Sequence, residues 1–394
     1  MNKHVFNYVL LILFTGFLFI SCKSTDYTNS NSDITETGNN DKFEKVDSLM
    51  NTAIRDSVFP GATLLVGNKS GTIYEKAYGH YTYDTTSPRM TLNTIFDLAS
   101  VSKVIGTTSA AMILYDRGKL KLDEKVATYL PEFGNHGKEK ITVRNLLLHN
   151  SGLPAFKKYY DIYNTSKQVI NDIMNTELIY EPGTKYVYSD LGMITLQKVI
   201  ERISGTTLDK FLEKNLFKPL GMNSTMYNPP PSLKQKCAPT EIDTFYRMRP
   251  LQGEVHDERA YMLGGVAGHA GLFSTAPDLA KFFHMMLNGG KYNGKQIIKE
   301  STINKWTTRQ SDQSSRGIGW DTKSVKGYSS FGTKFSSNSY GHTGYTGTSV
   351  WVNKDTGIFV ILLTNRVYPT RKNRKIIKFR PIIHDAIYEA LYSK

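Results

Sequence analysis

Phe96-Asp97-Leu98-Ala99-Ser100-Val101-Ser102-Lys103-Val104 sets a hydroxyl and an amine three positions apart. They stand at the head of a helical run expected to continue to about Tyr115 and to stop near Gly118. Residues i and i+3 of a helix share a face, so the Ser100 and Lys103 side chains come within reach of each other. A serine hydroxyl is a weak nucleophile unless a base stands beside it, and lysine can be that base where burial lowers its pKa. Ser102 points to a different face and reads as a bystander. This is the only Ser-x-x-Lys in the chain, and alone it decides little. Two segments later in the chain give it weight.

Both supply matching chemistry. Glu181-Pro-Gly-Thr-Lys-Tyr-Val-Tyr188-Ser189-Asp190 is a turn that delivers a tyrosine and two short polar side chains just before a helix expected from about Leu191 to Ile203. Tyr340-Gly-His342-Thr343-Gly344-Tyr345-Thr-Gly347 then leads into a strand, and its glycines let the backbone approach a ligand closely.

In this order and spacing the three segments resemble the serine β-lactamase and penicillin-binding-protein superfamily, in its class C and D,D-carboxypeptidase-like branch. The family pattern is Ser-x-x-Lys, then Tyr-x-Asn, then Lys-Thr-Gly or His-Thr-Gly. Leu146-Leu-Leu-His-Asn-Ser-Gly-Leu-Pro154 and Gly118-Lys-Leu-Lys-Leu-Asp123 also resemble it, and the likeness runs over roughly residues 43–394. It implies catalytic roles for Ser100, Lys103, Tyr188 and His342, and an oxyanion hole from the backbone N–H groups of Ser100 and Tyr345. Substrate contacts are implied for Asp190, Thr343 and Gly344. No cofactor and no metal are expected. Ser100 would attack a carbonyl while Lys103 and Tyr188 share its proton, and water would hydrolyse the acyl-enzyme. Which of the two takes the proton stays open.

The chain departs from the pattern twice. Asp190 stands where asparagine is usual, which exchanges a neutral amide for an acceptor that is charged when ionised. His342 replaces the commoner lysine, so a fixed cation becomes one expected to titrate near about pH 6.5. Affinity for a carboxylate-bearing substrate is then expected to weaken as pH rises.

Gly253-Glu-Val-His-Asp-Glu-Arg-Ala260 and Gly264-Gly-Val-Ala-Gly-His-Ala-Gly-Leu-Phe-Ser274 resemble a sub-branch concerned with cell-wall chemistry. A metal reading of His256, Asp257 and His269 fits no zinc spacing, and a hydrogen-bonded cleft wall is expected instead. The resemblance implies three functions. The leading one is an exported serine hydrolase cleaving amide bonds in peptidoglycan-derived peptides, as a D,D-carboxypeptidase or amidase. The others are an esterase of the same fold acting on acylated small molecules or glycans, and a penicillin-binding protein that acylates without turnover. Efficient β-lactamase activity is a lower-ranked subset. No Gly-x-Ser-x-Gly elbow occurs, which disfavours an α/β-hydrolase esterase.

Working outward, Ala62–Val66 and Thr72–Tyr78 read as a β-hairpin, and Ser349–Asn353 and Gly357–Thr364 as a second strand pair. Amphipathic helices are expected near Phe43–Ile54 and from about Lys375 to Tyr392, and Thr275-Ala-Pro-Asp278 has the pattern of a capping box. Strands at both ends with helices between predict an α+β fold of the serine β-lactamase type. An antiparallel sheet would be flanked by helices, with a mainly helical lobe inserted over about 101–260. Residues 42–394 form the hydrolase domain in this reading. Residues 1–21 read as a signal peptide, with an apolar run too short to span a bilayer, ending at Ser21-Cys22 in the manner of a lipobox. Cys22 is the expected lipidation site, and 22–41 a flexible tether to the cell envelope.

The chain has 394 residues, 40% hydrophobic and 21% charged, with a formal charge of +14. That supports a sizeable core and excludes a disordered or collagen-like protein, without the dense basic stripe of a nucleic-acid binder. A monomer acting on small molecules or wall fragments is expected. Cys237 reads as a buried small hydrophobe, and Trp306, Trp320 and Trp351 as core or cleft-wall residues. The cation run Arg366, Arg371, Lys372, Arg374, Lys375, Lys378, Arg380 contains no acid and reads as a solvated face.

Overall fold

A computed structural model describes residues 40–324 and 326–393. The signal, Cys22 and nearly all of the tether therefore lie outside the described residues.

Strands β1 (Gly61–Asn68) and β2 (Gly71–Gly79) form the expected hairpin. Late in the chain come β3 (Asp321–Thr322), β4 (Ser339–Thr343), β5 (Ser349–Asn353) and β6 (Ile358–Thr364). They join in one antiparallel sheet of order β3-β4-β5-β6-β1-β2. The seam between the chain's two ends is β1 against β6, in the register Leu65↔Ile361. Side chains alternate across a strand, so β1 serves two cores at once. Ala62, Leu64 and Val66 pack with Val360 and Leu362 against helices α1 (Glu44–Arg55) and α5 (Ile376–Tyr392), through Val46, Met50, Ile383 and Ile387. Leu65, Phe359, Ile361 and Leu363 face the other way, into the helical lobe and Phe282 and Phe283 of α4 (Ala276–Leu287). Both faces are covered, which is why β1 and β6 are apolar nearly throughout.

In the lobe, α2 (Ser109–Asp116) continues the nucleophile segment and α3 (Asp190–Ser204) follows Tyr188. Gly205, in the left-handed conformation at φ 68°, ends α3. The expected helix from Ser100 to Tyr115 is continuous in direction but not in winding. It begins as a 3-10 turn over Ala99–Val101, widens to a π-helix over Lys103–Thr108, and becomes α-helical only at Ser109. The Ser109 hydroxyl donates to the Val104 carbonyl, five residues back, at 2.9 Å.

Two elements escaped the sequence. A small sheet joins Phe96–Asp97 and Met226–Tyr227 to the two edges of Leu272–Ser274, and β3 borders the main sheet. Most of these strands are two residues long, too short for alternation to register. At Thr275 half of the capping box forms: its side chain accepts from Asp278 N. The Asp278 carboxylate turns instead to Ser224 N and the Thr225 hydroxyl. Trp306, Trp320 and Trp351 are core residues. Cys237 is fully buried, and burial pushes its thiol up to about 12, so it is inert at neutral pH. Among the described residues no helix is long and apolar enough to cross a membrane.

Candidate active site

The nucleophile is held from both sides. The Asp97 carboxylate accepts from Ala99 N at 2.8 Å and from His256 N at 2.7 Å. That fixes Ala99 at φ 47°, a conformation few residues other than glycine adopt, immediately before Ser100. Ser102 proves structural rather than idle: its oxygen accepts from Leu272 N at 3.0 Å. Thr107 donates to the Gly268 carbonyl at 2.7 Å. Gly268 is a glycine of necessity, since a Cβ there would lie 2.2 Å from the Met193 carbonyl of α3. The loop thus passes close to α3 and brings the His269 carbonyl to Lys103.

Lys103 is buried, and its ammonium donates to Ser100 Oγ at 3.0 Å and to His269 O at 2.8 Å, with Asp190 Oδ1 at 2.8 Å. It also lies 4.9 Å from the centre of the Tyr188 ring. Burial would lower the lysine, but Asp190 and Tyr188 together outweigh it and hold the ammonium above its usual value. The expectation of a lysine made basic by desolvation is therefore corrected: a carboxylate stands beside it. Asp190 is itself held below the usual carboxylate range, its burial outweighed by Lys103, His269 and Arg259.

Tyr188 is placed by the Leu146–Pro154 segment. Val187 N donates to His149 O at 2.9 Å, Ser189 N donates to His149 Nδ1 at 3.1 Å, and the imidazole packs on the Tyr188 ring at 4.5 Å. Burial, with Arg316 and Lys103 nearby, keeps His149 well below its ordinary value, so the ring stays neutral and its Nδ1 can accept. Ser189 then caps α3, accepting from Gly192 N at 3.1 Å.

Opposite Tyr188, the turn from β4 into β5 is fastened to the nucleophile segment. Thr346 donates to Asp97 O at 2.8 Å and Thr348 to Leu98 O at 2.9 Å. A Cβ on Gly344 would meet the Thr348 hydroxyl at 2.0 Å and Leu98 O at 2.5 Å, so this approach needs glycine. Ser100, Tyr188, His342, Thr343, Gly344 and Tyr345 consequently line one cavity of about 540 Å³.

His342 does not behave as expected. It is buried, its Nδ1 lies 2.8 Å from the Thr343 carbonyl, and burial with Arg316 and Lys103 nearby keeps it well below its ordinary value. It is a neutral imidazole at physiological pH, and a cation titrating near neutrality is ruled out by the two fixed cations already present. Asp190, expected as a substrate contact, has Oδ1 on Lys103 and Oδ2 at 3.1 Å from Arg259. Arg259 also meets Asp257 at 2.6 Å, and Asp257 meets His269 Nε2 at 2.8 Å. Donor atoms of Asp190, Asp257 and His269 lie within 4.8 Å of one another. Lys103 and Arg259 already engage the two carboxylates, and such a set of salt bridges is poorly suited to a metal ion. His256 turns away from it and pairs with Glu241 at 2.9 Å.

The cation run is corrected in part: Lys372, Arg374, Lys375 and Lys378 are exposed as expected, and Arg366 and Arg380 are not. Arg366 and Arg380 are buried, and both line the cavity together with Arg374 and, from further back in the chain, Arg316. Arg371 bridges Glu241 and Glu258. The run lacks acids in sequence because its partners are carbonyls and distant glutamates, which a local count of charge does not see.

Comparison with known proteins agrees with this geometry. The Beta-lactamase family model matches residues 46–380. The "N-acetylmuramyl-L-alanine amidase" of Bacillus subtilis (strain 168) is 35% identical over 361 residues, covering 82% of this chain and 81% of that one. A protein of Escherichia coli (strain K12) named "Putative D-alanyl-D-alanine carboxypeptidase" is 32% identical over 385 residues, covering 86% and 88%. Among solved structures, a penicillin-binding protein homologue from Caulobacter crescentus superposes with a TM-score of 0.72 at 18% identity, covering 91% of this chain and 100% of that one. EstCE1, a hydrolase with promiscuous acyltransferase activity, gives 0.69 at 22%, covering 88% and 98%. Fold and site define a serine hydrolase of the β-lactamase type. The chain belongs to the Beta-lactamase family.

Proposed function

We propose that the protein is an exported, lipid-anchored hydrolase that cleaves amide bonds in peptidoglycan-derived peptides through an acyl-enzyme on Ser100. One observation carries the chemistry: Ser100 Oγ sits 3.0 Å from an ammonium that lies 4.9 Å from the centre of the Tyr188 ring, and Ser100 and Tyr188 line one cavity. The similarity to proteins named as an amidase and a carboxypeptidase supports the substrate class.

In this reading Ser100 Oγ attacks the amide carbonyl. Lys103, already protonated, is not the first proton acceptor, so the serine proton moves through the Tyr188 oxygen to the leaving nitrogen. The ammonium stabilises negative charge on that oxygen during the transfer. The N–H groups of Ser100 and Tyr345 face the tetrahedral oxyanion, and water then releases the acid and regenerates Ser100. His342, neutral, offers Nε2 as a hydrogen-bond acceptor, while Thr343 lines the substrate's path.

The test is amine release from two amides, an N-acetylmuramyl-L-alanine derivative and a peptide ending in D-alanyl-D-alanine. Ser100-dependent cleavage of either supports the reading and says which bond is cut. Intact amides under conditions where the same preparation hydrolyses simple esters would overturn it.

A further inference from the structure

Charge inside the cavity is lopsided. Arg316, Arg366, Arg374 and Arg380 line it, against one carboxylate, Asp321. Asp321 stands 3.7 Å from Arg316, and burial raises its carboxyl, with Arg316 only partly opposing. One carboxylate thus stands against four guanidinium groups in the lining.

Two of the buried arginines, Arg366 and Arg380, have been built in without acids. Arg380 donates from Nη2 to Gly344 O and to Thr348 O, both at 2.9 Å. Arg366 donates from Nε to Tyr345 O at 2.7 Å and from Nη1 to the carbonyls of Arg371 and Asn373. Its guanidinium also covers the Tyr345 ring at 4.4 Å. Neither meets a carboxylate among the described residues, although buried charges are ordinarily paired. Burial lowers both, Arg380 to about 10. Arg316 Nη1 and Arg380 Nε are buried and have no hydrogen-bond partner. Carbonyl oxygens fix where these groups point and leave their charge unanswered.

The arginines also form two sets. Arg316 belongs to the Tyr188 side, over the rings of Tyr186 and Tyr188 at 5.8 and 5.2 Å. Arg366 and Arg374 belong to the Tyr345 side, on the segment after β6, and Arg380 is tied to the turn between them. The two sets hold different rings, so each can receive a carboxylate of its own. His342, being neutral, answers neither.

We propose that the cavity beside Ser100 takes an acidic peptide carrying two separate carboxylates, one received by Arg316 and the other by Arg366 and Arg374. This rests on the peptide-hydrolase reading and adds to it the class of peptide: one with an acidic residue besides its terminal carboxylate. Guanidinium–carboxylate pairs are bidentate and strong where water is displaced, so the two contacts set affinity and register along the cleft.

Boronic acids test the two readings separately, because boron accepts the Ser100 oxygen whatever the natural substrate is. Phenylboronic acid, 3-carboxyphenylboronic acid and 3,5-dicarboxyphenylboronic acid are compared as inhibitors of p-nitrophenyl acetate hydrolysis. Each added carboxylate is expected to tighten inhibition by about tenfold at low salt, an increment that shrinks as salt is raised. In Arg374→Gln, an exposed position that folding tolerates, the ratio between the dicarboxylate and the unsubstituted compound should fall several-fold. Equal inhibition by all three, or a gain from the first carboxylate and none from the second, overturns the two-carboxylate inference and leaves the hydrolase intact. If no boronic acid inhibits, Ser100 is not the nucleophile, and both readings fall together.

Discussion

Two charged regions flank Ser100, and they are built on opposite terms. On one side Lys103, Asp190, Arg259 and Asp257 run as a chain of alternating sign that ends on the His269 ring, with contacts of 2.6–3.1 Å. It closes on itself where Lys103 donates to the His269 carbonyl. On the other side the Arg366 and Arg380 guanidinium groups donate to carbonyls and meet no carboxylate among the described residues, and Arg316 faces Asp321 at 3.7 Å. In the first region each carboxylate has a cation within 3.1 Å, so its charges are paired before substrate arrives, although Arg259 Nη1 and His269 Nδ1 lack hydrogen-bond partners. The second is complete only when an anion enters. In the proposed reading the catalytic groups belong to the compensated half, and recognition falls to the other.

The largest expected effect lies on the nucleophile itself. Ser100→Ala should lower turnover of any substrate by about 10⁴-fold or more, measured by steady-state assay. Next, the two halves should respond differently to loss of a buried arginine. Arg259→Met takes a shared cation from Asp190 and Asp257, which keep Lys103 and His269 Nε2, and is expected to cost about 3 kcal/mol in denaturant unfolding. Arg380→Met strands only carbonyls and should cost about 1–2 kcal/mol. Equal losses would erase the distinction between the regions.

Acid stability probes the uncompensated half. His384, beneath Arg380, donates from Nδ1 to the Arg380 carbonyl at 2.7 Å and is kept neutral by burial, at about 4. The unfolded chain binds this proton at about pH 6.5, so the unfolded state holds more protons between the two values, and stability falls as pH drops through that window. The loss amounts to about 3 kcal/mol by pH 4, and His384→Gln should flatten that part of the melting-temperature profile.

Asp190→Asn sharpens the other half. Without the carboxylate, burial prevails at Lys103 and its ammonium is lost at lower pH. Turnover should drop about 10- to 100-fold near neutrality, and the alkaline limb of the rate profile should move toward neutral pH. An unmoved limb would show that Asp190 does not set the lysine's charge. The smallest effect concerns His342. Because it is neutral throughout, KM for a carboxylate-bearing substrate should be flat from about pH 5.5 to 8.5, a range bracketing the free imidazole. A rise in KM with pH would restore the cationic histidine.

How much the sequence disclosed depends on range. Ser100–Lys103 and Tyr188-Ser189-Asp190 are local patterns, and β1, β2, β5, β6, α1 and α5 carry regular periods long enough to read. The charge of those residues was not legible, because it depends on neighbours far along the chain. Lys103 is kept cationic by a residue 87 positions later, and His342 is kept neutral by burial and by Arg316. The arginines of 366–380 looked solvated because a run without acids is usually exposed. Their carbonyl partners carry no sequence signature. Asp190 and Arg259 could have been linked, since each departs from expectation alone: an acid where an amide is usual, and an arginine beside Asp257 in a segment already read as cleft wall.

The most direct test of the account is to find where an acyl group rests. The protein is mixed with p-nitrophenyl acetate, quenched in acid within the first turnover, and weighed intact before peptide mapping. The account predicts one acetyl group per chain, on the peptide containing Ser100, appearing with a burst of nitrophenolate and absent from Ser100→Ala. An acetyl group on another residue, or label of equal extent in Ser100→Ala, would contradict it.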